Sequence, residues 1–310
     1  MPPRHYRSVL DLSRDETLEV LQRALKLKHD WNADHKISKR LRGCTLAAIY
    51  EKPSLRTRVT FEAGMTQLGG HSIYLGPEDI FMDRREPVAD IARNLSRWVQ
   101  IITVRTFAHS IVLEMAEHSR VPVINALTDL EHPCQALADF LTLKEQLGSL
   151  EGKKIAWIGD GNNVLHSLLL MSGLLGVNID AATPEGYEPQ QSIIEQAQQL
   201  AAKSGATISL GYLPQQAVQG ADAIFTDVWT SMGQENEGST RRSIFAPFQV
   251  TPELMAASGN PKTIFLHCLP AHRGEEVVDE VIDGPQSVVF DEAENRLHAQ
   301  KALVLWLLGR

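Results

Sequence analysis

Short apolar, β-rich runs alternate with helix-sized stretches along nearly the whole chain, and this alternation limits the available folds more than any other feature. In the first half the runs are "CTLAAIY" (44–50), "HSIYL" (71–75), "IITVRT" (101–106) and "VPVINA" (121–126), followed by a long helical stretch, "PCQALADFLTLKEQL". The pattern then restarts with "KIAWIGD", "NIDAATP", "ATISLGY", "ADAIFTDV" and "KTIFLHCLP". Strands separated by helices build parallel sheets covered on both faces. The expectation is an α/β protein of two domains, each a parallel β-sheet flanked by helices. "SLEGKK" at 149–154 reads as a polar hinge, giving domains 1–148 and 149–290. Helical periodicity in "DETLEVLQRALKLKHD" and in the final "DEAENRLHAQKALVLWLLG" predicts N- and C-terminal helices linking the domains, with 291–310 packing back on the first. Ligands of such sheets bind at the carboxyl ends of the strands.

The 310 residues, 43% of them hydrophobic, suffice for two cores of about 150 residues each. A net charge of −8 argues against nucleic acid as a partner. It leaves room for a small anion, because clustered arginines outweigh global charge at short range. No apolar run approaches the roughly 20 residues of a membrane span. "MPPRHYRSVLDLSRDE" lacks the apolar core of a secretory signal, and Cys44, Cys134 and Cys268 are too few and dispersed for a disulfide framework. A cytoplasmic protein with reduced thiols is expected.

The polar residues that could do chemistry fall at strand ends. "YEKPSLRTRVTF" (50–61) places Ser54, Arg56, Thr57 and Arg58 where a helix begins behind Pro53. Backbone N–H groups and the helix dipole there attract an oxyanion, and guanidinium forks suit phosphate. A capping serine beside two solvated arginines is the plainer alternative. Arg105 closes a strand and is either a second phosphate clamp or a surface ion pair. His132 and Gln135 open the long helix, where the dipole favours a neutral imidazole able to donate to a carbonyl. A capping His and a buried Gln explain the same residues.

"IGDGNNVLHS" (158–167) carries two glycines, but Leu165 stands where a dinucleotide fingerprint has its third. Asn162 and Asn163 instead offer donors to a carboxylate. Asp227 in "TDVWTSMGQE" is placed either to receive an ammonium group or to cap a turn. His267, Cys268 and His272 in "LHCLPAHRG" lack the accompanying ligand spacing of a metal site, so no metal is expected.

Taken together, "SLRTR", "HPCQ", "DVWTSMG" and "HCLPAHRG" resemble, in order and spacing, the aspartate/ornithine carbamoyltransferase family. "SMG" and "HCLP" point to its ornithine branch. The resemblance implies transfer of the carbamoyl group of carbamoyl phosphate to the δ-amine of L-ornithine, giving L-citrulline and phosphate, in arginine metabolism. By matching position, Ser54, Leu55 (through its backbone N–H), Arg56, Thr57 and Arg105 would hold the phosphate. Thr57, Arg105 and His132 would donate to the carbamoyl oxygen. Gln135 would hold the carbamoyl NH2, with Arg296 nearby and backbone carbonyls of Cys268 and Leu269 completing the set. Asn163 would bind the α-carboxylate, Asp227 and Ser231 the α-ammonium, and Met232 would add a backbone contact. Asp227 and Cys268 would help set the amine's protonation state. The resemblance implies no metal, no organic cofactor, and a homotrimer or multiple of trimers.

Two positions depart from the family pattern. Leu55 stands where many members have threonine. Phe81 in "GPEDIFMDRREP" replaces a glutamine that reaches a neighbouring subunit's phosphate, with Arg84 or Arg85 as possible substitutes. Rival readings keep the chemistry but change the amine to putrescine, an N-acylated ornithine or another amino acid, assign a nucleotide-dependent oxidoreductase to "GDGNNV", or make the chain a non-catalytic binding protein.

Overall fold

The computed structural model describes residues 2–80, 82, 86–231, 233 and 235–310. Phe81, Arg84, Arg85 and Met232 lie outside the described residues. The chain forms two compact units, Met1–Leu141 with Glu294–Arg310, and Thr142–Ala293.

The first unit begins with α1 (Arg14–Asp34), β1 (Thr45–Tyr50), α2 (Leu55–Gln67), β2 (His71–Leu75) and the single turn α3 (Pro77–Ile80). It continues through α4 (Val88–Leu95), β3 (Ile101–Arg105), α5 (His109–His118), β4 (Val123–Leu127) and α6 (Pro133–Leu147). Its four strands are parallel in the order β2-β1-β3-β4. β3 and β4 are buried along their whole length, as expected of strands covered on both faces. Helix starts follow local chemistry. Ser13 and Glu16 form a reciprocal capping box at α1. Pro53 lies outside α2, because Ser54 is its cap: the Ser54 hydroxyl accepts from the Thr57 N–H at 3.1 Å.

The second unit carries β5 (Lys154–Ile158), α7 (Asn163–Leu175), β6 (Asn178–Ala182), α8 (Gln191–Ser204) and β7 (Ile208–Gly211). It adds α9 (Pro214–Ala217), β8 (Ala223–Thr226), α10 (Gly238–Phe245), α11 (Pro252–Ala256), β9 (Ile264–His267) and α12 (Asp279–Ile282). Its five strands are parallel in the order β7-β6-β5-β8-β9. The last helix is α13 (Val289–Leu307). From Glu294 onward it belongs to the first unit, where Lys301 donates to Gln67 of α2 at 2.7 Å. Among the described residues no helix is long and apolar enough to cross a membrane.

In each sheet the winding direction reverses once, between β1 and β3 and between β5 and β8. Loops leaving neighbouring strands diverge at such a point and open a crevice at the carboxyl ends. Ser54–Thr57 follow β1 and Arg105 ends β3; Asn162 and Asn163 follow β5 and Asp227 follows β8.

Candidate active site

In the first unit three strand ends are tied together before any ligand is considered. Glu51, just past β1, donates its backbone N–H to the Arg105 carbonyl at 2.8 Å and accepts from the Thr106 hydroxyl. Lys52 is buried, pairs with Asp129 beyond β4, and lies over the Phe107 ring. The turn carrying Ser54–Thr57 and the turn leading to His132 are thus held to a common frame.

Arg296 of α13 organises the polar cluster. It is 2% exposed, donates to the Thr57 hydroxyl at 3.1 Å, and donates to the Gln135 amide oxygen at 2.5 Å. The Gln135 amide nitrogen in turn donates to Asp139 at 2.8 Å, one turn along α6. Both ends of the amide are thereby oriented. Leu55 points out at 73% exposure, so only its backbone N–H, in the first turn of α2, can serve the cluster. Arg58 faces away, paired with Glu62 at 3.0 Å and stacked 3.6 Å from the Tyr74 ring centre.

His132 is 5% exposed, and its pKa is held well below the ordinary imidazole value. Burial is the leading cause, followed by the charges of Arg296, Arg105 and Arg56. Both causes favour the neutral ring that the sequence suggested, adding burial and like charge to the helix dipole named there. The depression also reports the local field. Three guanidiniums make this crevice positive in a chain of net charge −8. A neutral donor among fixed cations suits an oxygen that gains negative charge during a reaction.

The second unit builds a different cluster. The Asp227 carboxylate accepts from the Asn162 amide at 2.8 Å and from the Cys268 thiol at 3.1 Å. Asn162 caps α7, its side-chain oxygen accepting from the N–H groups of Val164 and Leu165, which leaves its NH2 pointed at Asp227. Asn163 is the first residue of α7, and Ser231 lies four positions beyond Asp227. Asp227 therefore accepts from side chains on the turn after β5 and the turn after β9.

His267 fixes the turn after β9. Its Nδ1 accepts from the Leu269 N–H at 2.9 Å, so the ring proton sits on Nε2, which meets Glu276 at 3.0 Å. Leu269 has φ +57° and precedes a cis peptide to Pro270. Ligating atoms of Asp227, His267 and Cys268 lie within 4.8 Å of one another, while His272 groups instead with Glu275 and Glu276. Both nitrogens of His267 are already engaged, so its lone pair is not available to a cation without rearrangement.

The second glycine of "GDGNN" has a packing cause. A Cβ on Gly161 would lie 2.3 Å from the backbone at Glu188 and Pro189, and the Gly161 N–H donates to the Tyr187 carbonyl at 2.9 Å. The close approach is to the chain itself, not to a nucleotide phosphate. The sequence reading missed Asp139, Asp160, Arg241 and Glu276. Only Asp139 carried a local signal, its i,i+4 spacing from Gln135. The others depend on contacts between distant segments.

One unit thus offers a cationic crevice, and the other a carboxylate flanked by an amide and a thiol. The family profile described as "Aspartate/ornithine carbamoyltransferase, carbamoyl-P binding domain" matches residues 4–145, and the one described as its "Asp/Orn binding domain" matches 151–307. The chain belongs to the aspartate/ornithine carbamoyltransferase family. The ornithine carbamoyltransferase of Thermococcus kodakarensis is 52% identical over 299 residues, 96% of this chain and 94% of that protein. That of Methanothermobacter thermautotrophicus is 51% identical over 306 residues, 99% of each chain. The solved ornithine carbamoyltransferase of Pyrococcus furiosus superposes with a TM-score of 0.96 at 49% identity, covering 99% of this chain and 98% of that one.

Proposed function

We propose that the chain is an ornithine carbamoyltransferase, moving the carbamoyl group of carbamoyl phosphate to the δ-amine of L-ornithine and releasing L-citrulline and phosphate. The observation that carries this is the arginine field around a neutral, buried His132 in the unit matched by the carbamoyl-P binding profile. Ser54, the Leu55 N–H, Arg56, Thr57 and Arg105 hold the phosphate. Thr57, Arg105 and His132 donate to the carbamoyl oxygen, and Gln135, oriented by Arg296 and Asp139, accepts from the carbamoyl NH2.

The amine nitrogen attacks the carbonyl carbon, a C–N bond forms, and the bond to the phosphate oxygen breaks. The proton lost by nitrogen leaves with phosphate or solvent. An unperturbed amine has a pKa near about 10.4, so ornithine must give up a proton to react. Asp227 and Cys268 act on that protonation state. Asp227 and Ser231 hold the α-ammonium and Asn163 the α-carboxylate. Negative charge grows on the carbonyl oxygen and the leaving phosphate, where each aligned donor contributes about 3 kcal/mol.

The enzyme works as a cytoplasmic homotrimer in arginine biosynthesis. Leu55, Val59 and Ile73 are exposed apolar side chains on α2 and the edge strand β2, which supports self-association of the first unit. A monomeric mass in solution contradicts the trimer. The function is tested by offering ornithine, putrescine, N-acetylornithine and aspartate with carbamoyl phosphate. Phosphate release should be fastest with ornithine, and preference for any other amine refutes the substrate.

A further inference from the structure

Arg241 sits in α10 and is 6% exposed. Its guanidinium meets the Asp160 carboxylate at 3.1 Å, donates to the Trp229 carbonyl at 2.8 Å and pairs with Glu237 at 3.0 Å. It stacks 4.8 Å from the Tyr187 ring centre and 5.7 Å from that of Phe245, and Trp229 packs on Phe245 in the same enclosure. Asp160 is 7% exposed, and its own carbonyl accepts from the Trp157 indole at 3.0 Å. An ion pair this buried costs desolvation on both sides, so stability alone is a poor reason for it.

Its placement suggests another. Asp160 is two residues before Asn162, on the turn leaving β5. Trp229 is two residues past Asp227 and two before Ser231, on the loop leaving β8. The pair therefore bridges the two loops that flank the winding reversal of this sheet. We propose that Asp160 and Arg241 are positioning residues that lock the backbone at Trp229 against the β5 turn, setting affinity for the amino-acid substrate without entering the chemical step. This rests on the assignment of Asp227, Ser231 and Asn163 to the amino acid.

Ionisation supports the geometry. Burial raises the Asp160 carboxyl to about 6 against the opposing pull of Arg241, with Asp227 adding repulsion and the Gly161 N–H favouring the charged form. Arg241 faces Asp160 and Glu237. As pH falls through about 6, Asp160 takes a proton, Arg241 loses its buried counter-charge, and the lock loosens.

The test uses the full enzyme at saturating carbamoyl phosphate, with L-norvaline as the binding probe. Norvaline keeps the α-ammonium and α-carboxylate but lacks the δ-amine, so its own charges do not change between pH 5.5 and 7.5. Wild type, Arg241→Lys and the double variant Asp160→Asn/Arg241→Met are compared; the double variant leaves no buried charge unpaired, because the Glu237 side chain is largely exposed, and keeps the fold accessible to measurement. The double variant should bind norvaline about tenfold more weakly at pH 7.5, a loss of about 1.4 kcal/mol. Its KM for ornithine should rise in parallel, while kcat and the KM for carbamoyl phosphate stay near wild type. Norvaline affinity should weaken on acidification in wild type and stay flat in the double variant, and Arg241→Lys should recover part of the loss. A double variant binding norvaline within twofold of wild type, or sharing its pH profile, overturns the positioning role while leaving ornithine as substrate. Wild type that does not bind norvaline overturns the amino-acid assignment and the positioning role together.

Discussion

The Arg296 guanidinium donates to the Thr57 hydroxyl at 3.1 Å although 239 residues separate them in the chain. The same guanidinium orients Gln135, so one buried side chain near the C-terminus aligns two groups of the proposed carbamoyl phosphate site. Lysine cannot reproduce both bonds, because its ammonium lacks the planar fork. Arg296→Lys should raise the KM for carbamoyl phosphate about a hundredfold, equivalent to about 2.7 kcal/mol, with a smaller effect on the KM for ornithine. Initial-rate kinetics with each substrate varied in turn check the split.

His298, one turn from Asn295 on α13, is fully buried, and its pKa falls to about 3 through burial and the charges of Lys301 and Lys28. The unfolded chain binds a proton at this imidazole near its ordinary value, whereas the folded chain does not. Its contribution to stability is therefore complete above about 6.5 and is lost as pH falls toward 3. His298→Leu should remove that loss. The difference in unfolding free energy between variant and wild type should grow in the variant's favour by up to about 1.4 kcal/mol per pH unit on acidification. Urea unfolding at pH 6.5 and 4.5 measures it, and a constant difference rejects the linkage.

Cys268 donates to Asp227 at 3.1 Å and Asn162 donates at 2.8 Å, so the carboxylate is held from both oxygens. Asp227→Asn replaces one of the two accepting oxygens with a donor, so the side chain can no longer accept from both Asn162 and Cys268. We expect kcat/KM for ornithine to fall more than about a hundredfold, about 2.7 kcal/mol, while carbamoyl phosphate binding is retained. Cys268→Ser keeps a donor and should lose far less. Equal losses in the two variants contradict the separate roles.

Gly161→Ala drives a methyl group into the backbone at Glu188 and Pro189. Nothing flexible stands in its way, so the loop must shift, at a cost of about 1–3 kcal/mol. Chemical denaturation measures the loss. An unchanged midpoint returns the glycine to a ligand-binding role.

Much of the architecture was legible because it rests on local signals. The strands at "IITVRT" and "KIAWIGD" and the helix over 133–147 follow from apolar runs, turn residues and helical spacing. The strand ends then located the polar residues without any knowledge of tertiary contacts. What stayed hidden depends on the winding order. Nothing near Asp160 in the sequence points to Arg241, and Glu276 reads as a surface acid until His267 is seen against it. Pro53 marked the entry to α2 in the sequence, and Ser54 caps the helix because its hydroxyl accepts from the Thr57 N–H. The tendency of His132 to neutrality was legible while its main causes were not, since burial and the convergence of three arginines from distant segments arise only in the fold.

Phosphonoacetamide, a stable analogue of carbamoyl phosphate, tests the central claim most directly when soaked into crystals of this protein. The phosphonate should lie against Ser54–Thr57 and Arg105, with the amide oxygen toward His132. Density for the analogue anywhere else, with that crevice bare, would contradict the account.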